Sequence, residues 1–442
     1  RGYFSLSNRK NGIIMEIVYN PKKEKWNKIC SRLTTSYSKN ELVVKKIFED
    51  VKNKGDEALI KYTLKYDNVL IKDFLVSEAE ISDSKDVDSE LKKAISVAYN
   101  NIYKFHSAQK SKKIIVETSK GVECWQKKYP IEKVGLYIPG GTAPLFSTLL
   151  MLAIPAKIAG CEEIIVCTPP GVDGKVSNVI LYTAFLCGIK KIYKVGGIQS
   201  IAALTIGTES IPKVYKIFGP GNQFITSAKQ HALKYNVSID LPAGPSEVLI
   251  VADKTCNPSF VAIDLLAQAE HGKDSQSILV ANDKDVIKSV LNEINKIISK
   301  LNRKNILIDS MKNSKFVIFN KDIDAVNFIN YYAPEHYMIC VEKKQFYIDG
   351  LKNAGSVFIG NFSPETLGDY ASGTNHTLPT NGFARQYSGV NLDSFLKSIT
   401  FQKITKNGIR NIGPHVELLA AAEGLDAHKM SVSLRLKDIQ ND

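Results

Sequence analysis

The chain has 442 residues, a 44% apolar fraction and a formal net charge of +13, enough to bury two or three domain cores without disulfides or structural metals as staples. Its pI is about 9.1, but the lysines fall in short scattered groups (22–28, 110–113, 296–304) with no basic run interleaved with aromatics, which argues for a solvated surface and against a nucleic-acid partner. Seven cysteines form no CxxC pair and point to reduced thiols, and no run of 18 apolar residues exists that would cross a membrane.

Residues 1–14, ahead of Met15, read as an extension or a scar and lack the apolar core of a secretory signal. Residues 40–110 are predicted helical: Val43, Val44, Ile47, Phe48 and Val51 recur at spacings of three and four, and 91–105 repeats the pattern. Short strands follow through 122–125. From residue 134 onward, apolar strands (134–138, 163–167, 191–195, 216–218) each run into a Gly-rich turn and then an apolar helix. That alternation predicts βαβ units and a mainly parallel sheet, with ligands expected where strands end in turns. The turns do not spell the usual dinucleotide fingerprint, because Gly219-Pro220-Gly221 is followed by Phe224 where a third glycine would stand. They are compatible with anion binding and equally with plain tight turns.

A second α/β stretch follows. Strands are predicted at 248–252, 277–281 and 314–319, and a helix capped by Asn257-Pro258 runs to His271 and stops at Gly272. Residues 326–332 read as helix, with Glu335-His336 in the turn after Pro334; residues 391–442 read as largely helical with a break at Gly424, and no fixed-period repeat is evident.

Two constellations carry chemistry. Gln268 and His271 sit three apart on the last turn of a helix, on one face and at its partially negative end, where a cation is favoured. Spacing alone fits a helix cap or packed residues as well as metal ligands. Glu335 and His336 diverge from adjacent positions, so they can serve as two bases on one substrate or as a surface Glu and a capping His. The acids Glu270, Asp274, Glu335, Asp369, Glu423 and Asp426 stand among the candidate residues of a basic protein, which suits a cationic substrate better than a phosphate ester. Among the remaining histidines, His376 is a candidate to line the site, and His106, His231 and His415 are assigned to structure or surface.

Several motifs occur in one order along the chain: Val134-Gly135-Leu136-Tyr137-Ile138-Pro139-Gly140-Gly141, Gly196-Gly197-Ile198-Gln199-Ser200, Gly219-Pro220-Gly221-Asn222, Leu241-Pro242-Ala243-Gly244-Pro245-Ser246-Glu247, Gln268-Ala269-Glu270-His271-Gly272, Ala333-Pro334-Glu335-His336, Gly368-Asp369-Tyr370-Ala371-Ser372-Gly373-Thr374-Asn375-His376 and Ala427-His428-Lys429. Together they resemble the histidinol dehydrogenase family. The resemblance implies two Rossmann-like α/β domains of aldehyde-dehydrogenase-like type, with a helical N-terminal region and an extended helical C-terminal tail. It implies an NAD-dependent four-electron oxidation of L-histidinol through histidinaldehyde to L-histidine, the last steps of histidine biosynthesis. Zn2+ ligands then fall on Gln268, His271, Asp369 and His428; the bases on Glu335 and His336; substrate contacts on Ser246, Gln268, His271, His336, Asp369, Glu423 and His428; and NAD contacts on Tyr137, Gln199 and Asn222. It further implies a homodimer whose C-terminal tail completes the partner's site.

On this reading 134–243 is the NAD-binding domain, 15–133 plus 244–390 the catalytic and zinc-binding domain, and 391–442 the dimerisation tail, in a cytosolic protein or, from a eukaryote, a plastid one. Gly424, Asp426 and Lys273 depart from the family pattern; the first two bear on the tail's local geometry. Three rival readings compete with it: a zinc hydrolase, which would not reduce NAD; a thiol-based aldehyde dehydrogenase using Cys161 or Cys187; and a basic RNA-binding protein, which would leave the Gln268–His428 set unexplained.

Overall fold

The computed structural model describes residues 3–5, 15–32, 37–84, 86–140, 144–242 and 244–440. Most of the 1–14 segment, together with Gly141 and Ala243 of the motifs above, lies outside them. The architecture is mixed α/β, built on two sheets with the same winding.

The first sheet is fully parallel. In space its strands run Lys191–Lys194, Glu163–Thr168, Lys133–Tyr137, Lys216–Phe218, Ser238–Ile239. In the second sheet the order is Tyr3–Ser5, Glu16–Tyr19, Lys315–Ile318, Gln276–Ala281, Glu247–Ala252, His336–Cys340, Ser356–Ile359, parallel except for the first pair. From Lys133–Tyr137 in the first sheet and Glu247–Ala252 in the second, the chain winds outward over two further strands and then returns to the other side of that starting strand; Tyr3–Ser5 and Glu16–Tyr19 extend the second sheet at one edge. The central strands are apolar on both faces, as strands covered by helices on both sides must be. Helix Phe146–Ala159 is apolar all round and buried from Ser147 to Ala156, wedged between the first sheet and helix Ser89–Ser107. Helix Lys284–Ile298 instead buries one stripe, Val286, Ile287, Val290, Leu291, Ile294 and Ile298, against the second sheet.

Two expectations change. The sequence groups the N-terminal helices with the second domain, but Val44, Ile47, Phe48, Leu59, Tyr62, Ile95 and Ile102 pack into the cores of the first sheet, while the Glu16–Tyr19 strand, with Trp26 and Ile29 after it, joins the second. The tail is not purely helical: Leu396–Ile404 is a strand of a three-stranded antiparallel arm with Val122–Pro130 and Ile114–Ser119. Helices Lys406–Ala422 and Asp426–Gln440 follow and pack on each other. The break between them is at Gly424, whose φ of +71° lets the chain turn directly into the second helix.

The turn at the centre of the first sheet is fixed by a buried ion pair. Gly219, at φ +135°, lies so close to the carbonyl of Tyr137 that no Cβ fits. Asp240 accepts the Gly219 N–H at 2.8 Å, and the Lys229 ammonium donates to the Gly219 carbonyl at 2.8 Å and to Asp240 at 2.5 Å. Both side chains are almost fully buried. Lys229→Met is expected to cost about 3–5 kcal/mol by stranding the Asp240 charge. A Lys229→Met/Asp240→Leu double variant, measured by denaturant unfolding, should recover much of that loss.

Candidate active site

The second sheet presents its amino edge as a pocket. Glu247 and His336 open adjacent parallel strands, with Val248 opposite His336. His336 therefore begins a central strand and does not sit in a turn as the sequence suggested. Ser246 lies just before this edge and accepts the Gln276 N–H through its carbonyl at 3.1 Å. Gln268 comes from the last turn of helix Pro258–Ala269, and Asp369 from the short helix Glu365–Tyr370.

His336 is held at both nitrogens. Nδ1 lies 3.2 Å from the Glu247 carbonyl and 3.5 Å from Oε2 of Glu335, and Nε2 lies 3.3 Å from Oδ1 of Asp369. Glu335 accepts the Glu247 N–H at 2.8 Å. Burial raises the Glu335 carboxyl, against the pull of His336. Burial works to lower His336, but the Glu335 carboxylate and the bond to Asp369 hold it well above the usual imidazole range. Asp369 resists burial through the same bond and stays below its ordinary value. His376 connects this group to the first sheet: Nδ1 is 2.8 Å from the Asp369 carbonyl, and Nε2 is 3.0 Å from Oγ1 of Thr148. His271 is exposed, near enough to Asp369, His336 and His376 for their charges to act on it.

Three residues of this pocket were not anticipated. Glu365 is 1% exposed, and burial, with Asp369, Asp264 and Glu335 nearby, pushes its carboxyl well above the usual range despite His336. The Gln268 amide, with its nitrogen toward Glu365, donates to it at 2.9 Å and accepts the Glu247 N–H at 3.1 Å. Glu247 itself is buried and held by Arg32, whose Nε and Nη2 donate to Oε2 at 2.9 and 2.5 Å while the guanidinium lies 4.0 Å over the Tyr332 ring. Nothing near Arg32 or Glu365 in sequence signals these roles; their partners lie 215 residues away for Arg32.

The remaining candidates lie elsewhere. Tyr137, Gln199 and Asn222 stand at the carboxyl edge of the first sheet. Tyr137 is buried, and its hydroxyl accepts the Gly197 N–H. Gln199 is fully buried, and among the described residues neither of its amide atoms has a partner. Asn222 is exposed and caps helix Gln223–Ala232 by accepting the Phe224 and Ile225 N–H groups at 3.0 and 3.2 Å. Glu423 and His428 are exposed on the tail helices, and among the described residues neither side chain hydrogen-bonds or pairs with the pocket. Cys161 and Cys187 are buried, and burial pushes both thiols up to about 12, which makes them inert at neutral pH and disfavours a thiol mechanism.

Gln268, His271 and Asp369 are oxygen and nitrogen donors of the kind a catalytic zinc takes. They are one short of a tetrahedral set, and among the described residues no group of three or more His, Cys, Asp or Glu stands ready to hold a metal. The donor chemistry fits a catalytic zinc, which takes few protein ligands and keeps a position open.

Doubly wound sheets that meet at a buried carboxylate–imidazole cluster are the framework of an α/β enzyme. A family model for histidinol dehydrogenase matches residues 30–436. The chain is 51% identical to a histidinol dehydrogenase of Bacteroides fragilis over 96% of this chain and 100% of that one, and 49% identical to a chloroplastic histidinol dehydrogenase of Arabidopsis thaliana over 93% and 88%. The crystal structure of a histidinol dehydrogenase from Elizabethkingia anophelis superposes with a TM-score of 0.94 at 52% identity, covering 96% of this chain and 99% of that one. The chain belongs to the histidinol dehydrogenase family of oxidoreductases. No helix among the described residues is long and apolar enough to cross a membrane.

Proposed function

We propose that the protein oxidises L-histidinol through histidinaldehyde to L-histidine, the closing steps of histidine biosynthesis, with NAD as hydride acceptor and zinc as substrate anchor. The observation that carries this reading is the Glu335–His336–Asp369 cluster, two distinct bases at one buried point, in a chain of this family. NAD, used twice, supplies the hydride acceptor for four electrons, and zinc supplies a Lewis-acid hold on the substrate's nitrogen donors.

The protein's own residues do the rest. His336 Nε2 is the atom placed to take the hydroxyl proton in the alcohol step, once Asp369 turns to another partner and the imidazole has released to solvent the proton that Glu335 and Asp369 favour on it. Glu335, buried and raised, takes a proton from the water that attacks the aldehyde. Gln268, His271 and Asp369 would hold the metal, and Ser246 would line the approach. Tyr137, Gln199 and Asn222, at the carboxyl edge of the first sheet, would hold the dinucleotide. Helices beginning at Phe146, Gly197 and Gln223 aim their N-termini there, and the unpartnered Gln199 amide suits a polar ligand.

The partner subunit's Glu423 and His428 complete each site in a homodimer. Support comes from the exposure of both tail residues together with Leu418, Leu419, Met430 and Leu434 around them, an apolar surface of the sort that marks an interface.

Three measurements test this reading. Zinc-loaded protein should reduce NAD with histidinol and lose turnover on chelation; no reduction at all removes the proposal. Glu335→Gln should slow acid formation by about 10²–10⁴-fold with far less effect on alcohol oxidation, and His336→Asn the reverse. Equal losses in both half-reactions would undo the division of labour. Asp369→Ala and His428→Ala should each be inactive alone, but refolding them together should restore about a quarter of the wild-type sites, because half the dimers are mixed and each carries one intact pair. A tail that serves its own chain gives no recovery.

A further inference from the structure

We infer that Asp67 is a binding residue for the dinucleotide, accepting the vicinal hydroxyls of a ribose and selecting NAD over its 2′-phosphorylated form; this rests on the cofactor reading above.

Asp67 is the last residue of helix Asp56–Asp67, and the chain leaves that helix through Asn68 in the left-handed conformation. A carboxylate there faces the negative end of the helix dipole, the wrong end for an acid. Its Oδ2 is buried with no hydrogen-bond partner, and among the described residues the side chain has no ion pair. Burial pushes the carboxyl up to about 6 from its ordinary 3.8. Other acids in this half of the molecule are provided for: Asp50 has Lys61 at 2.8 Å and Tyr62 at 2.6 Å, and Asp240 has Lys229 and two backbone N–H groups. At Asp67 the fold bears the cost of a half-buried anion, and among the described residues no ion pair offsets it, as at a site kept for a ligand.

Its location says which ligand. After Asp67 the chain turns back along the outer strand Lys191–Lys194. The Lys194 N–H bonds the Phe74 carbonyl at 2.7 Å, and the Val76 N–H bonds the Ile192 carbonyl at 2.9 Å. That pairing is antiparallel, so the residues before Phe74 project past the strand's carboxyl end. Val69 accordingly packs against the loop after strand Glu163–Thr168, 3.5 Å from where a Cβ on Gly174 would sit. Asp67 is thus at the carboxyl edge of the first sheet, and its charge acts on the buried Tyr137 hydroxyl. Gln199, fully buried with both amide atoms unpartnered, stands on the same edge and is an independent sign of a missing polar ligand. Two neighbouring hydroxyls can each donate to one carboxylate. A phosphate monoester at the same place would put a second anion beside a buried first.

The test is Asp67→Asn in the full-length, zinc-loaded protein, titrated calorimetrically with NAD and with NADP. The expected result is NAD affinity weaker by about tenfold or more, as for loss of a charged hydrogen bond, with NADP affinity unchanged or improved. A second readout separates binding from structure. A raised carboxyl makes the folded state bind more protons than the unfolded one, so wild-type stability should fall as pH rises from about 4 to about 6 through this group. The variant should lack that loss and melt higher at neutral pH. Unchanged NAD affinity in the variant overturns the inference, as does a variant less stable than wild type at neutral pH. Wild-type protein that binds neither dinucleotide overturns the cofactor reading itself, and this inference with it.

Discussion

The backbone of Glu247 is the point on which the pocket depends. Its N–H is accepted by Glu335 and by the Gln268 amide, and its carbonyl faces Nδ1 of His336. One peptide position thereby orients both candidate bases and one candidate metal ligand. It can do so only if it cannot shift, and its side chain explains why it does not. The carboxylate is clamped by the Arg32 fork and by the Asn381 N–H, and Arg32 is stacked on Tyr332, whose hydroxyl donates to Gln276 at 2.9 Å. A planar guanidinium with several directed donors suits this task in a way a lysine would not. Such a buried pair adds little net stability but fixes geometry, since either partner left alone would be an uncompensated charge.

The two sheets contribute opposite edges. The first has glycine turns and helix N-termini at its carboxyl edge, the usual place for a ligand in a doubly wound sheet. The second sheet, with the same winding, gathers its charged groups at the amino ends of its strands. The link between them is short: Thr148, in the first turn of the helix after the first sheet's central strand, meets His376, which meets Asp369, which meets His336. A hydride acceptor along one edge and a pair of bases along the other would face a common substrate. The chain would achieve this by repeating one winding and using it from opposite ends.

Much of this was legible in sequence, and what was missed has physical reasons. The apolar runs of the central strands and the stripe of Lys284–Ile298 are strong local periodicities, so their elements were readable. A helix's apolar stripe does not say which sheet it covers, so Val44 and Ile95 could not be assigned to the first sheet. In Leu396–Ile404 the apolar Leu396, Ile399, Phe401 and Ile404 follow spacings of three, two and three, closer to a helix face than to strict alternation, and the strand was read as helix. Glu335 and His336 were visible as an adjacent pair of chemically apt residues. Arg32, Glu247 and Glu365 were not, because their function lies in pairings across long sequence separations that leave no local trace.

The polar groups of the two edges follow different rules. In the acid–base pocket nearly every charged group already has a partner: Glu247 with Arg32, Glu335 with Glu247 and His336, His336 with Asp369, Asp369 with His376 through its carbonyl. Mutual satisfaction holds the bases in place before substrate arrives, which lowers the reorganisation needed during reaction. At the carboxyl edge of the first sheet the reverse holds. Asp67 Oδ2, Thr168 Oγ1 and both amide atoms of Gln199 are buried without partners. Each such atom carries a desolvation cost that a bound polar ligand would relieve. On the proposed reading, a diffusible ligand that must bind, react and leave would be served by an edge whose polar atoms it completes, whereas the candidate bases are already oriented by one another. Tyr337 Oη and Thr377 Oγ1, buried without partners beside His336 and His376, show that the pairing of the second edge is dense but not total.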